Sequence, residues 1–575
     1  MGTLLRVDMT TKQVNQESVP ESYSGLGGRA FTSKVVLNEV NPICNPLGPN
    51  NKLVISPGML SGTKAPSSGR LSVGAKSPLT GTIKEANAGG TTAQKLASLG
   101  INGIIVEGKP EDGKLYLLLI NEEGASLIPA DDFKGKGTYE VSALLREKHG
   151  THIGLMQIGP AGEMMLANAG IANNDPEGNS SRYAGRGGLG AVMGSKGLKA
   201  IIIETKKIMD AEVANSEKFN EAAKKFAKIL LDHPVCGQGL PSYGTNVLMN
   251  IINEAGALPT KNFRKGRFDK ANEISGEKLA EVAVERGGKA THGCHPGCVM
   301  RCSNIYPMPN GKVCAPVEYE SAWALGAHCE IGDLDDVAML NYICNDAGLD
   351  TIEAGGTLGI LMEAGVIPWG DGKAAIKALE EVALGTPMGR IIGNGAVYAA
   401  KAYGVTRVGE AKGQHMPAYD PRGAKGIGVT YATSTMGADH TAGYCITANI
   451  LKVGGFTDPL KKEGQVDLSR NLQIATAAID SSGLCLFVAF AVLDNQEGLP
   501  TVVEMLNAKY GLSLSVDDVL KLGQQVLRDE REFNTRAGFT KEHDRLPEFF
   551  TDETFDPHET KFDVTNDELD SVHNY

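Results

Sequence analysis

Over the first 205 residues, apolar and polar positions alternate in short bursts. LLRVDMTTKQV reads as a β-hairpin. NKLVISPG, RLSVGAK, GIIVEGK, KLYLLLINEEG and KAIIIET read as short strands between Gly, Pro, Asn and Asp turns. At Asn215 the period changes: NSEKFNEAAKKFAKILL carries its apolar residues at helical spacing behind an Asn cap. Helical patterns then dominate, in DDVAMLNYICNDAG, GTLGILMEAG, SRNLQIATAAIDSSG and VDDVLKLGQQVLRDEREF, with a softer break near 405–415. The pattern predicts an α+β chain, with a β-rich N-terminal domain (1–207) followed by two mainly α-helical domains (208–410 and 411–575). The last 35 residues carry eleven acids, from Glu542 to Asp570, and few helical signals. That composition predicts an extended tail packed on the surface or a partly disordered one.

At 575 residues the chain exceeds what one hydrophobic core supports. A net charge of −12, with no run of Lys and Arg, argues against nucleic acid as a partner. No stretch reaches the roughly 18 apolar residues of a membrane span. There is no basic-then-apolar leader and no twin-arginine signal, and ten cysteines without a leader argue for a reducing compartment rather than a disulfide framework. These features predict a cytoplasmic protein. Oligomeric state is not encoded, so homo- and hetero-oligomers both stay open. The 71 glycines, without a collagen-like period, point to tight turns and close backbone approaches to a ligand.

The candidate chemistry starts with cysteine. Cys294, Cys298 and Cys302 in HGCHPGCVMRCSN are answered far along the chain by Cys485 in DSSGLC. Three local thiolates and one remote one suit a [4Fe–4S] cubane. On a straight helix the local three would span about 12 Å at 1.5 Å per residue, so the segment has to bend; Gly293, Pro296 and Gly297 allow it. The spacing alone also leaves open a zinc site of these cysteines with His295, a radical-generating cluster, and buried free thiols. A second pattern is an echo. DLDDVAMLNYICNDAGLD (333–350) and DLSRNLQIATAAIDSSGLC (467–485) each run a helix into an Asn/Asp-x-x-Gly-Leu-Asp/Cys turn. Two helix C-caps would account for it; two halves of one ligand clamp account for it better, because one ends in a candidate cluster ligand.

Gly185-Arg-Gly187-Gly-Leu-Gly190 matches the dinucleotide fingerprint in letters only. The preceding NNDPEGNSSRYA is polar and the following helix is short and glycine-interrupted, against what a Rossmann turn needs. Together with Ser67-Ser-Gly-Arg70, Asn87-Ala-Gly-Gly90 and Arg182-Tyr-Ala-Gly-Arg186, it makes better sense as a surface for phosphate groups and a planar pterin. Such loops expose backbone N–H groups, and arginine forks to phosphate.

In these motifs the chain resembles the aldehyde ferredoxin oxidoreductase family, tungsten enzymes that hold a metal between two pterin dithiolenes beside one [4Fe–4S] cluster. KLVISPGMLSGTKAPSSGRLSVGAKSPLTG, NAGG, AGRGGLGAVMGSKGLKAI, EYES, both clamps and the four cysteines occur in the family's order, from LLRVDMTT to beyond Cys485. The resemblance implies that the N-terminal domain is the base for the bis-pterin cofactor. It implies that Arg70 lies between cluster and pterin, and that Asn87 and the backbone of Ala184 ligate a Mg2+ bridging the pterin phosphates. Asn345, Leu349 and Asp350 would grip one pterin; Asp480, Leu484 and Cys485 would grip the other. It also implies Glu320 (in VEYESAWALG) and His440 (in MGADHTAG) beside the metal, with Glu318 a rival to Glu320 and Tyr319 a residue that orients substrate. Two positions depart from the family pattern. The usual C-x-x-C-x-x-x-C gains a residue in its first gap, so that strict register puts His295, rather than Cys294, at the first ligand. Asn345 stands where the family usually has Asp.

The implied activity is oxidation of an aldehyde to the carboxylic acid on a tungsten, or molybdenum, bis-pterin. Electrons would leave through the cluster to ferredoxin or a dedicated iron–sulfur subunit. Two other functions stay open: another low-potential reaction on the same scaffold, such as ring reduction of an aromatic acyl thioester, and a non-catalytic electron-transfer subunit. The second has no need of the clamps, Glu320 or His440.

Overall fold

The structure is a computed structural model and describes residues 2–575. It is an α+β chain with mixed sheets first and helices after. The first 204 residues build the same unit twice. In the first copy β1 (Thr3–Asp8) and β2 (Gln13–Ser18) form the hairpin, a helix follows at Gly28–Glu39, and then β3 (Leu53–Pro57), β4 (Leu71–Lys76) and β5 (Ile83–Ala88). A short helix at Thr92–Ser98 leads to β6 (Ile101–Glu107). The second copy repeats the series as β7 (Tyr116–Asn121), β8 (Gly124–Pro129), helix Thr138–His149, β9 (Gly154–Gln157), β10 (Ile171–Asn174), β11 (Ser180–Ala184), helix Leu189–Ser195 and β12 (Leu198–Glu204).

The sheet orders, β2-β1-β6-β3-β4-β5 and β8-β7-β12-β9-β10-β11, are the same. In each, only the pairing of the first strand with the last is parallel. One face of both sheets shares a core, with Val7, Ile55, Val73 and Ile104 from one and Leu118, Ile120, Met156 and Ile201 from the other. The outer faces are covered by Phe31, Val35 and Val36 of one long helix and by Val141 and Leu145 of the other. Burial on both faces explains why the inner strands read as continuous apolar runs.

The helices that follow start where side chains can accept orphan N–H groups. Asn215 accepts from Lys218 N at 3.1 Å, Asp333 from Asp336 N at 3.0 Å, and Ser515 forms a reciprocal box with Asp518. Residues 293–302, with the three local cysteines, form no helix; they loop between β13 (Lys289–His292) and β14 (Ser303–Pro307). The glycine-rich 185–190 segment does follow a strand, contrary to the sequence reading. That strand, β11, lies at the edge of its sheet, and the helix after it has seven residues, so the turn is still not a Rossmann one.

Of the two expectations for the C-terminal 35 residues, the structure shows the packed surface tail. Most positions stay exposed or half-buried, but Phe550 and Phe555 are fully buried anchors, Phe550 meets Phe263 edge-on at 5.4 Å, and Arg422 lies 4.3 Å from the Phe555 ring. The acids that looked like a disorder signal have cationic partners: Lys412–Asp544 at 2.7 Å, Arg407–Glu553 at 2.7 Å and Arg545–Asp570 at 3.0 Å. Among the described residues no helix is long and apolar enough to cross a membrane. Phe555→Ala is therefore expected to cost about 3–5 kcal/mol, as for other buried aromatics. The denaturation midpoint measures it, and an unchanged midpoint would mean the tail is dispensable for the core.

Candidate active site

Both echo segments end as αL-capped helices. Helix Leu334–Ala347 stops at Gly348 (φ 83°) and helix Gln465–Ser482 at Gly483 (φ 81°), conformations that favour glycine. Each turn rests on one copy of the N-terminal unit. Gly483 meets the loop after β3: Met59 N donates to Ser481 O (3.0 Å), Leu60 N to Ser482 O (2.7 Å), Arg70 N to Gly483 O (3.2 Å), and Cys485 N to Ser67 O (2.9 Å). Gly348 meets the loop after β9, with Gly170 N donating to its carbonyl at 2.9 Å. A Cβ on Gly58 would lie 2.0 Å from Gly483 Cα, and one on Gly159 would lie 2.3 Å from Ala347 O. The two turns and the two sheets are thus locked backbone to backbone.

Between them lies a cavity of about 370 Å³. Arg70, Asn87, Asn345, Leu349, Asp350, Asp480, Cys485, Cys294, Cys302, Glu320 and His440 all line it, as do Glu318 and Tyr319. Ala184, Leu484 and Cys298 do not. Ala184 is buried in β11 between the lining residues Tyr183 and Gly185, and Leu484 is buried beneath its turn. Cys298 lies beside Cys294; ligand atoms of Cys294, His295 and Cys298 all fall within 4.8 Å of one another.

Carboxylates and guanidinium groups meet here at close range. Asp480 pairs with Arg29 at 3.3 Å, and Arg29 forks onto Glu530 with two 2.9 Å hydrogen bonds. Asp350 caps helix Thr351–Glu363 through Ile352 N and pairs with Arg186 at 3.1 Å. Glu318 is taken by Arg182 (3.3 Å) and the Thr245 hydroxyl (2.6 Å). Arg70 has no carboxylate partner among the described residues; its Nε donates to Asn87 Oδ1 at 2.6 Å. Burial opposes its charge, but Cys485, Cys294 and Asp480 raise its pKa.

Glu320 and His440 form the remaining pair, with His440 Nε2 at 3.4 Å from Glu320 Oε1. Glu320 Oε2 accepts from Ala418 N at 3.0 Å. Burial pushes the Glu320 carboxyl up to about 8, against Ala418 N–H and Arg186. Burial likewise pushes His440 down to about 4, although neighbouring Asp439 favours its cation. Asp439 stays well below the carboxylate range: burial works the other way, but Lys84, at 3.2 Å, and Arg186 outweigh it. At neutral pH the pair is a carboxylic acid beside a neutral imidazole, one proton donor and one acceptor.

The donor set fits a large polar cofactor. Glu85, Asn87, Ser181, Arg182, Glu320 and His440 each line the cavity and each carry a buried side-chain atom without a hydrogen-bond partner. Such atoms are costly unless a ligand or water satisfies them. Cys294, Cys302 and Cys485 in the lining, Cys298 beside Cys294, and Arg70 without a carboxylate partner suit an anionic iron–sulfur cluster. The motifs did not identify Arg29, Lys84, Glu85 or Asp439 as part of the site. The available signal was the charged pair inside the buried strand of IKEANAGG, and Gly-Gly-Arg at the head of a helix.

The architecture recurs in a solved structure. The BamBC active-site complex of benzoyl coenzyme A reductase superposes with a TM-score of 0.80, covering 99% of this chain and 93% of that one, at 19% identity, a likeness of fold. Two family descriptions match nearly the whole sequence: "Aldehyde ferredoxin oxidoreductase, N-terminal domain" over residues 4–205 and "Aldehyde ferredoxin oxidoreductase, domains 2 & 3" over 221–574. Tungsten-containing aldehyde ferredoxin oxidoreductase of Pyrococcus furiosus is 37% identical, with 96% of this chain and 91% of that one aligned. The enzyme of the same name from Pyrococcus horikoshii is 38% identical over the same shares. The WOR-like subunit of the aliphatic sulfonate oxidoreductase of Pyrococcus furiosus is 25% identical, over 92% and 85%. The chain belongs to the aldehyde ferredoxin oxidoreductase family.

Two outcomes follow from the buried charges. Arg186→Met strands Asp350 without its cation and is expected to cost about 3–5 kcal/mol, read from the denaturation midpoint. In the cofactor-free protein, Glu320 binds its proton more tightly folded than unfolded. Stability therefore falls as pH rises from the ordinary carboxylate value of 4.5 to about 8, and the loss then levels off. Glu320→Gln removes that slope, so its advantage in denaturation midpoint should grow between pH 5 and 8; a constant difference would contradict the raised carboxyl.

Proposed function

We propose that this chain is a tungsten-dependent oxidoreductase that interconverts aldehydes and carboxylic acids. Electrons pass through one [4Fe–4S] cluster to ferredoxin or a dedicated iron–sulfur subunit, in the cytoplasm. The observation that carries the reading is the shared cavity. Cluster-type cysteines, two glycine-ended turns and an acid–imidazole pair open onto one space whose lining leaves polar atoms unsatisfied.

In this reading Asn345, Leu349 and Asp350 hold one pterin, and Asp480, Leu484 and Cys485 the other. Asn87 and the Ala184 backbone would hold a Mg2+ that neutralises the pterin phosphates, and Arg70 would donate hydrogen bonds to pterin and cluster. Cys294, Cys298, Cys302 and Cys485 hold the iron. When bound, the bis-pterin metal supplies a two-electron acceptor and a Lewis acid, and the cluster supplies a one-electron exit. The net reaction is RCHO + H2O → RCOOH + 2 H+ + 2 e−.

The chain's own part is to move protons and to orient the substrate. Glu320, which keeps its proton up to about pH 8, hydrogen-bonds the aldehyde oxygen and makes the carbonyl carbon more electrophilic. His440 is neutral at that pH and accepts the proton of the attacking water. Its 3.4 Å contact with Glu320 lets the two share protons between turnovers. The Tyr419 and Tyr444 hydroxyls bond each other at 2.6 Å, and their rings flank His440 at 6.1 and 6.0 Å, fixing the imidazole and walling the substrate in.

Protein purified without oxygen should contain about one tungsten and four iron per chain and reduce a viologen dye with aldehydes. Glu320→Gln should then lower kcat by about 10²–10⁴-fold while metal content stays the same. Full metal loading without aldehyde-dependent dye reduction would defeat the assignment.

A further inference from the structure

We propose that Cys294, not His295, is the first cluster ligand, and that the His295 imidazole donates an Nδ1–H···Sγ hydrogen bond to that thiolate. The inference rests on the cluster reading above. His295 Nδ1 lies 3.1 Å from Cys294 Sγ. A metal-bound thiolate carries no proton, so the hydrogen has to come from the ring. Cys294 lines the cavity with Cys302 and Cys485.

The imidazole has a built seat. It is 2% exposed, and it packs so tightly on Gly69 that a Cβ there would come within 2.3 Å of the ring. Its Nε2 is buried and has no partner, so the ring's one hydrogen bond is to the sulfur. Gly90 N donates to Cys294 O at 3.1 Å and Cys298 N to His295 O at 3.2 Å, which fixes both residues in the turn. With one residue more in the first gap, Cys294 at its start thus supplies the thiolate, and His295, at the strict-register position, supplies its hydrogen-bond donor. A hydrogen bond to a ligand sulfur stabilises the more negative, reduced cluster and raises its potential.

The test uses the loaded enzyme. His295→Phe keeps a ring without the N–H. It is expected to retain four iron and to lower the cluster midpoint, by EPR redox titration, by about the 59 mV of a tenfold change in a one-electron equilibrium. His295→Asn, whose amide N–H takes the place of Nδ1–H, should recover most of that shift. Loss of iron or conversion to a three-iron signal in His295→Phe would make His295 a ligand and overturn the proposal. Four iron with an unchanged midpoint would remove the hydrogen bond and overturn it too. Should His295→Phe fail to fold, pulsed EPR of the unaltered protein with 15N-histidine decides: weak nitrogen coupling supports the proposal, and the strong coupling of a bound imidazole sinks it. Unaltered protein without iron would sink the cluster reading and this inference together, whereas a normal cluster indifferent to His295→Phe sinks this inference alone.

Discussion

Everything at the centre of this protein depends on main chain meeting main chain without side chains between. The turn at Gly483 and the loop after β3 exchange four backbone hydrogen bonds across more than four hundred residues of sequence. The contact is so close that neither Gly58 nor Gly483 has room for a Cβ. The turn at Gly348 meets the loop after β9 in the same way. These contacts hold Asp480, Cys485 and Asp350 over the sheets, and the buried arginines then complete their charge balance. Without that closeness Arg186 would lose its fixed partner Asp350, and Arg29 would keep only Glu530.

The same closeness explains the electrostatics of the cavity. Burial in the cavity wall penalises charge, so Glu320 and Glu85 keep their protons to about pH 8, and His440 stays neutral down to about 4. Where a countercharge is in contact, as for Asp439 with Lys84, the ionised form persists. Beside Glu318 and Asp480, by contrast, burial outweighs the contacting arginine and still raises the carboxyl.

Much of this was legible in the sequence. Cysteine spacing, glycine-ended helices and small-residue loops are local patterns, and all three came together at one cavity. The duplication of the first 204 residues was not legible, because only strand order and pairing repeat; LLRVDMTT and LYLLLINEEG share no residue pattern specific enough to betray it. The Arg29–Glu530 fork was out of reach for another reason: its partners lie at opposite ends of the chain, and nothing local marks either as paired. For the tail, packing and disorder both stayed open, because its acids are ordinary disorder signals, while Lys412, Arg407 and Arg545, which neutralise them, and Phe263, which packs on its Phe550, sit elsewhere or look unremarkable in sequence. Composition could not weigh those partners.

The duplicated floor carries unlike residues at its matching turns, Asp350 after Gly348 and Cys485 after Gly483. A platform with near twofold form therefore has two sides of different character, one ending in a carboxylate held by arginine and the other in a soft sulfur among three more. In the proposed reading the asymmetry is directional wiring. A cofactor seated on a symmetric base is connected to the outside at one end only, so current has a single terminal although the architecture offers two.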